Sequence, residues 1–154
     1  MTATIAKELS HAEVNAQAWA ESIAAAHEAH RFCLEEGWGR FLSREAKACL
    51  KELGYDGTNH AQVLEAIEEQ SRANPLSVLV SSGWSAPGEL EPDEFLLLLS
   101  TGGPALRIVG ELDCDNEPMR VCMQHQDWGT PWTEWLDVDR EALQWFAGLF
   151  WYGD

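Results

Sequence analysis

The arrangement of apolar and polar positions changes near Pro75. Before that point apolar side chains recur at helical intervals. Trp19, Ile23, Ala26, His30 and Cys33 are spaced four, three, four and three apart, which lines them along one side of a helix. Ser10 and Glu13 have capping-box spacing at its start, and Gly37-Trp38-Gly39 ends it. Ser43 opens a second helix with Ala46, Cys49, Leu50 and Leu53 facing inward and Gly54 as its stop. Asn59 and Gln62 repeat the capping-box spacing ahead of a third helix, through Val63, Leu64 and Ile67 to about Arg72. Asn74-Pro75 closes it.

Beyond Pro75 the period becomes two. Leu76, Val78 and Val80 alternate with Ser77 and Ser81, as in a half-buried strand. After Trp84 and the loop SAPGELEPDE, the run Phe95 to Leu99 is apolar on both faces and predicts the central strand. Thr101-Gly102-Gly103-Pro104 is a turn signal. Leu106, Ile108 and Leu112 then share one face of a third strand, and Arg107, Val109 and Glu111 the other. A second turn runs from Asp113 to Pro118. In the fourth strand Met119, Val121, Met123 and His125 alternate with Arg120, Cys122 and Gln124. Short turns between successive strands favour an antiparallel meander. The stretch QHQDWGTPWTEW, Gln124 to Trp135, reads as the exit of a strand, a rigid turn and the lead-in to a last helix. Asp139 or Asp137 caps that helix, and Ala142, Leu143, Phe146 and Phe150 lie on its inner side. The expected architecture is α+β, one domain over 1–154. It has a helical part at 1–75, an antiparallel sheet of about four strands at 76–136 and a C-terminal helix at 137–152.

Charge changes what such a fold is expected to do. The net charge is −16, from 26 acids against 10 bases. Residues 1–75 hold seven bases and twelve acids, whereas 76–154 hold three bases and fourteen acids. A field of that sign, concentrated on the sheet half, repels phosphate backbones and anionic membranes and attracts cationic surfaces. Solubility alone is the plain alternative. The four cysteines lie far apart without a CxxC pair, and the polar opening MTATIAKELS lacks a secretory signal. Reduced thiols in the cytoplasm are therefore expected. The longest aliphatic-aromatic run, Phe95 to Leu99, is too short to cross a bilayer.

Candidate chemistry is sparse. His27, His30 and Cys33 drift around their helix and would need further ligands for a zinc site, so a packed His30 and an exposed His27 are expected, with no metal and no cofactor. Cys122 and His125 fall on opposite faces of one strand, which defeats a thiol-imidazole pair. No nucleotide-binding, hydrolase or zinc-protease motif occurs. The second and third helices have a helix-turn-helix outline, but Glu65, Glu68 and Glu69 on the third oppose DNA reading.

Two acidic clusters remain, Glu89, Glu91, Asp93 and Glu94 in one loop, and Glu111, Asp113, Asp115 and Glu117 around a turn. Asp127 and Glu134, with Trp128 and Trp132, extend the display around the aromatic loop, as a protein-binding hot spot ringed by polar groups would require. Packing of the loop against the last helix is the other reading of Trp128, Trp132 and Trp135, and the favoured one for Trp128 and Trp135. Trp145, Trp151 and Tyr152, being less periodic, are expected to be exposed at a homodimer contact. In size, acidity and lack of catalytic residues the whole chain resembles the small counter-defence proteins of phages and plasmids, the anti-CRISPR and antirestriction groups. That resemblance implies a non-catalytic inhibitor whose carboxylates occupy a basic surface of a nucleic-acid-handling complex, in the manner of a nucleic-acid mimic. The alternatives are an immunity or adaptor protein held to one partner by Trp contacts, and a small cytosolic enzyme with a pocket near His125.

Overall fold

Ser10 starts the first helix, α1 (His11–Leu34), in the way its spacing predicts. Its hydroxyl accepts from the Glu13 N–H, and the Glu13 carboxylate accepts from the Ser10 N–H. The computed structural model describes residues 8–37, 41–84, 86–87 and 92–153. At the far end of α1, Gly37 N–H reaches Phe32 C=O and Glu36 N–H reaches Cys33 C=O, a Schellman closure with Glu36 at φ 53°. The second helix, α2 (Arg44–Glu52), is capped by the Ser43 hydroxyl and closes the same way around Gly54 at φ +78°.

The third helix, α3 (His60–Ala73), lacks the predicted cap. The Asn59 side chain is already committed to the preceding turn, accepting from Asp56 N–H and donating to Gly54 C=O. Asp56 in turn receives Thr58 and Asn59 N–H and the Thr58 hydroxyl. These bonds hold the Asp56 carboxyl below its ordinary pKa.

The strands are β1 (Ser77–Ser81), β2 (Glu94–Ser100), β3 (Ala105–Leu112), β4 (Pro118–Gln126) and β5 (Thr133–Trp135). They form one antiparallel sheet in sequential order. Phe95–Leu99 therefore lies second from an edge, and β3 is central. Five strands replace the expected four. β5 is three residues long, follows Pro131 and shows no alternation, so it reads as loop until it pairs with Met123–His125.

One face of the sheet carries the main core: Phe95, Leu97, Leu99, Leu106, Ile108, Leu112, Val121 and Met123, closed by Ala16, Ala20 and Ile23 of α1. Ala142, Leu143, Phe146 and Ala147 of the last helix, α4 (Arg140–Ala147), complete it. α4 begins at Asp139, whose carboxylate caps the Ala142 N–H, and it is shorter than expected because the chain leaves the helix at Gly148. A second cluster joins Ala29 and Cys33 of α1 to Ala46, Leu50, Val63 and Ile67. Thus α2 and α3 pack on α1, and the sheet is covered by α1 and α4.

Expectations change at three places in the chain. β1 is not half-buried: Leu76, Val78, Leu79 and Val80 are 61%, 41%, 55% and 47% exposed, because no described helix covers this edge. Met119 is exposed opposite Glu111, since Arg120 adopts φ 52° and inserts a bulge that shifts the register between Cys122 and Met119. Tyr152 is buried, with its ring 4.8 Å from Phe95 and its hydroxyl donating to Ala147 C=O. Trp145 is half-buried, and Trp151 alone of these three is exposed.

All four cysteines are free. Burial raises the thiol pKa of Cys33, Cys49 and Cys122, whereas Cys114 is exposed in the β3–β4 turn. One fast thiol is expected in titration of the native protein with an aromatic disulfide, four after denaturation, and Cys114→Ser should remove the fast phase.

Candidate interaction surface

Glu94 opens β2 directly opposite Glu111 near the end of β3, and Leu112 N–H bonds to Asp93 C=O. The β3–β4 turn then adds Asp113, Asp115 and Glu117 beside them. Two chain segments thus bring six of the predicted carboxylates to one end of the sheet, with Arg120 as a base among them. Glu89 and Glu91 lie outside the described residues.

The six are not equivalent. Asp113 is half-buried and accepts from Asp115 and Glu117 N–H, so it builds the turn. Asp93 accepts from Gly83 N–H and ties down the other loop. Glu111 receives two bonds from Arg120 Nη1, at 3.0 and 3.2 Å. Glu94, Asp115 and Glu117 are exposed and neutralised by no base among the described residues, Glu94 taking a hydroxyl bond from Ser81 at 3.3 Å.

The aromatic loop sits at the opposite end. Nine residues of β4 separate the two ends, roughly 25 Å at about 3.3 Å per residue. Sequence proximity had suggested one continuous display, but an antiparallel hairpin sends its turn and its open end in opposite directions. Asp127 anchors the loop through its backbone, which exchanges bonds with Thr130. Trp128 does not pack on the last helix. It lies over Gly103, where a Cβ would collide with its ring, and it is 86% exposed. Trp132 is half-buried beneath the Arg107 guanidinium, 4.0 Å from its ring centre, and Arg107 Nε donates to Gln124 Oε1 at 2.8 Å. Glu134 faces Arg140 at 3.7 Å. Trp135 does pack on the main core, and its indole N–H bonds to Asp137 C=O.

Between the two ends runs the uncovered face of the sheet. Leu79, Leu96, Val109 and Cys122 stand in register across four strands, and Leu98, Arg107, Gln124 and Glu134 form the neighbouring row. The shallow depression there, about 500 Å³, has an apolar floor with Arg107 on one side and Glu94, Glu111 and Arg120 on the other. The surface signal missed in the sequence is Trp84, fully exposed just past β1 at the acidic end.

Of the histidines, His30 is buried and bonds Glu68 at 2.9 Å. His27 is half-buried, not exposed, with its ring 5.3 Å from Trp145, and burial lowers its pKa. Among the described residues no three His, Cys, Asp or Glu side chains gather in a way that could hold a metal ion. Cys122 lines the uncovered face while His125 turns its ring towards Trp135. His125 lines an open depression of about 420 Å³ with Glu13, Thr133, Leu136 and Asp137. No described helix is long and apolar enough to cross a membrane.

The fold defines an α+β protein with a helix-covered antiparallel sheet. No family model, no curated protein and no solved structure matches the chain.

Proposed function

We propose that this protein is a non-catalytic inhibitor that occupies a basic surface of a nucleic-acid-handling protein or complex, of the kind that phage and plasmid counter-defence proteins block. The observation carrying this reading is the gathering of carboxylates from two chain segments at one end of the sheet, with Glu94, Asp115 and Glu117 paired with no base among the described residues. Carboxylates held on strand ends and a tight turn lose little freedom on docking, and they compete with phosphates for Lys and Arg. The protein itself, at −16, is not suited to hold nucleic acid.

The test is recovery of partners from the native host followed by binding measurements with the purified complex. The combined Glu94→Gln, Asp115→Asn and Glu117→Gln variant is expected to bind roughly 100-fold more weakly at low salt. Wild-type affinity is expected to fall steeply as salt rises. A complex indifferent to both salt and these changes would refute the reading.

A second reading rests on Trp128, whose 86% exposure is unusual for so large an apolar side chain. An adaptor or immunity protein gripping one partner through this ring would lose binding with Trp128→Ala and respond little to salt.

A further inference from the structure

Among the described residues, strand β1 is an edge strand without any of the usual protections. It carries no charge, proline or bulge and exposes Val78, Leu79 and Val80 together, so both of its faces are open. The other edge, β5, is protected by its three-residue length and by Glu134. From Ala73 to Gly88 no side chain is ionisable, the longest such run in a chain of net charge −16.

The strand also reads identically in both directions: Ser77, Val78, Leu79, Val80, Ser81. An antiparallel pair of such strands, centred on Leu79, places Leu79 against Leu79 of the second copy, each Val78 against a Val80, and each Ser77 against a Ser81. That self-complementarity is what an isologous two-fold contact demands.

We infer that β1 pairs antiparallel with β1 of a second copy of this chain, giving a two-fold dimer with one continuous ten-stranded sheet. This inference does not depend on the inhibitor reading. Two copies this acidic repel one another over most approaches, and the uncharged run gives a long line of contact without opposed carboxylates. Antiparallel pairing within one sheet sets the two-fold axis perpendicular to the sheet. Both helical layers then lie on the same side, and the two uncovered faces join into one surface. Extending the register brings Trp84, fully exposed in the single chain, level with Asn74 of the second copy. The dimer runs the acidic end of each copy alongside the aromatic-loop end of the other.

Sedimentation velocity at about 100 µM, well above a micromolar Kd, is expected to show a dimer. Leu79→Lys and Leu79→Glu, each placing like charges face to face at the axis, should sediment as monomers, while an equimolar mixture of the two should recover the dimer. In a Cys114→Ser background, Leu79→Cys should form an intermolecular disulfide on mild oxidation, because directly opposed residues have Cα atoms about 4.5–5.5 Å apart. Val80→Cys, which faces Val78 of the second copy, should cross-link far more slowly. Leu79 is exposed, so circular dichroism should be unchanged in every variant. A wild-type monomer, whose edge is then free for a foreign strand, would overturn the inference. So would a dimer that survives Leu79→Lys, since it would be built elsewhere.

Discussion

Trp145→Ala is expected to destabilise the protein by about 3 kcal/mol, whereas Trp145→Phe should stay within about 1 kcal/mol of wild type. The indole is the side chain common to the two hydrophobic clusters, packing against the sheet core and against the α1–α2–α3 cluster. Its ring lies 5.3 Å from His27 and 5.1 Å from His30. Removing it leaves a void where α4 meets the helical part. Its Nε1–H is buried and has no hydrogen-bond partner among the described residues. Phenylalanine keeps most of the packing and discards that unsatisfied donor, which offsets the lost area.

The same contact has a pH signature. Burial lowers the His27 pKa below its ordinary 6.5. The unfolded chain therefore takes up a proton that the folded chain resists. Stability from this group is present above about 6.5 and is lost as pH falls through the lower folded value. In Trp145→Ala, which opens His27 to water, this part of the acid sensitivity should shrink. Urea denaturation of both variants and wild type across mildly acidic pH measures both effects.

The helices were legible because their signals are local. Ser10, Ser43 and Asp139 cap their own helices through bonds spanning three residues, and those spacings are visible in one dimension. Asn59 shows the limit, since its capping spacing is present and yet its side chain is taken by Asp56 and Gly54. Strand order was not local. Phe95–Leu99 is the most apolar run, which suggested the middle of the sheet, but the chain's hairpins proceed one edge to the other and put β3 there. Leu76, Val78 and Val80 alternate as core residues do, yet no described helix covers them. Alternation records the pleat, and whether a face is buried depends on where helices from elsewhere come to rest.

The candidate surface was legible in composition and not in arrangement. That Glu94 meets Glu111 follows from the β2–β3 register, which a bulge shifts and which turn lengths alone do not set. The division of the carboxylates into those that build turns and those left free is set by hydrogen bonds that composition does not display. Asp113 and Asp115 look identical in the sequence, but the first accepts two backbone N–H groups and the second faces solvent. Trp128 and Trp135 likewise belong to one loop by sequence. The β4–β5 pairing turns Trp135 to the core, and Gly103 supplies the flat ground on which Trp128 lies outside it.

Gly110→Ala is expected to be as damaging as a large core deletion despite adding one methyl group. Gly110 pairs with Phe95 across β2 and β3, and a Cβ there would sit 2.7 Å from Phe95 Cε1 and 2.9 Å from the Met119 carbonyl oxygen. Neither can give way easily. Phe95 is buried and held against Tyr152, and Met119 belongs to the bulge around Arg120. Overpacking of this kind costs about 1–3 kcal/mol when the neighbours can shift, and here backbone must move as well. Phe95→Leu alone should also destabilise, by loss of ring contacts, yet Gly110→Ala combined with Phe95→Leu should cost less than the sum of the two. The shortfall in a double-mutant cycle measures the clash. Because the Met119 carbonyl remains in the way, the double variant should not return to wild-type stability. Full additivity would mean that the ring is not the obstacle and that Gly110 is kept small by the bulged backbone alone.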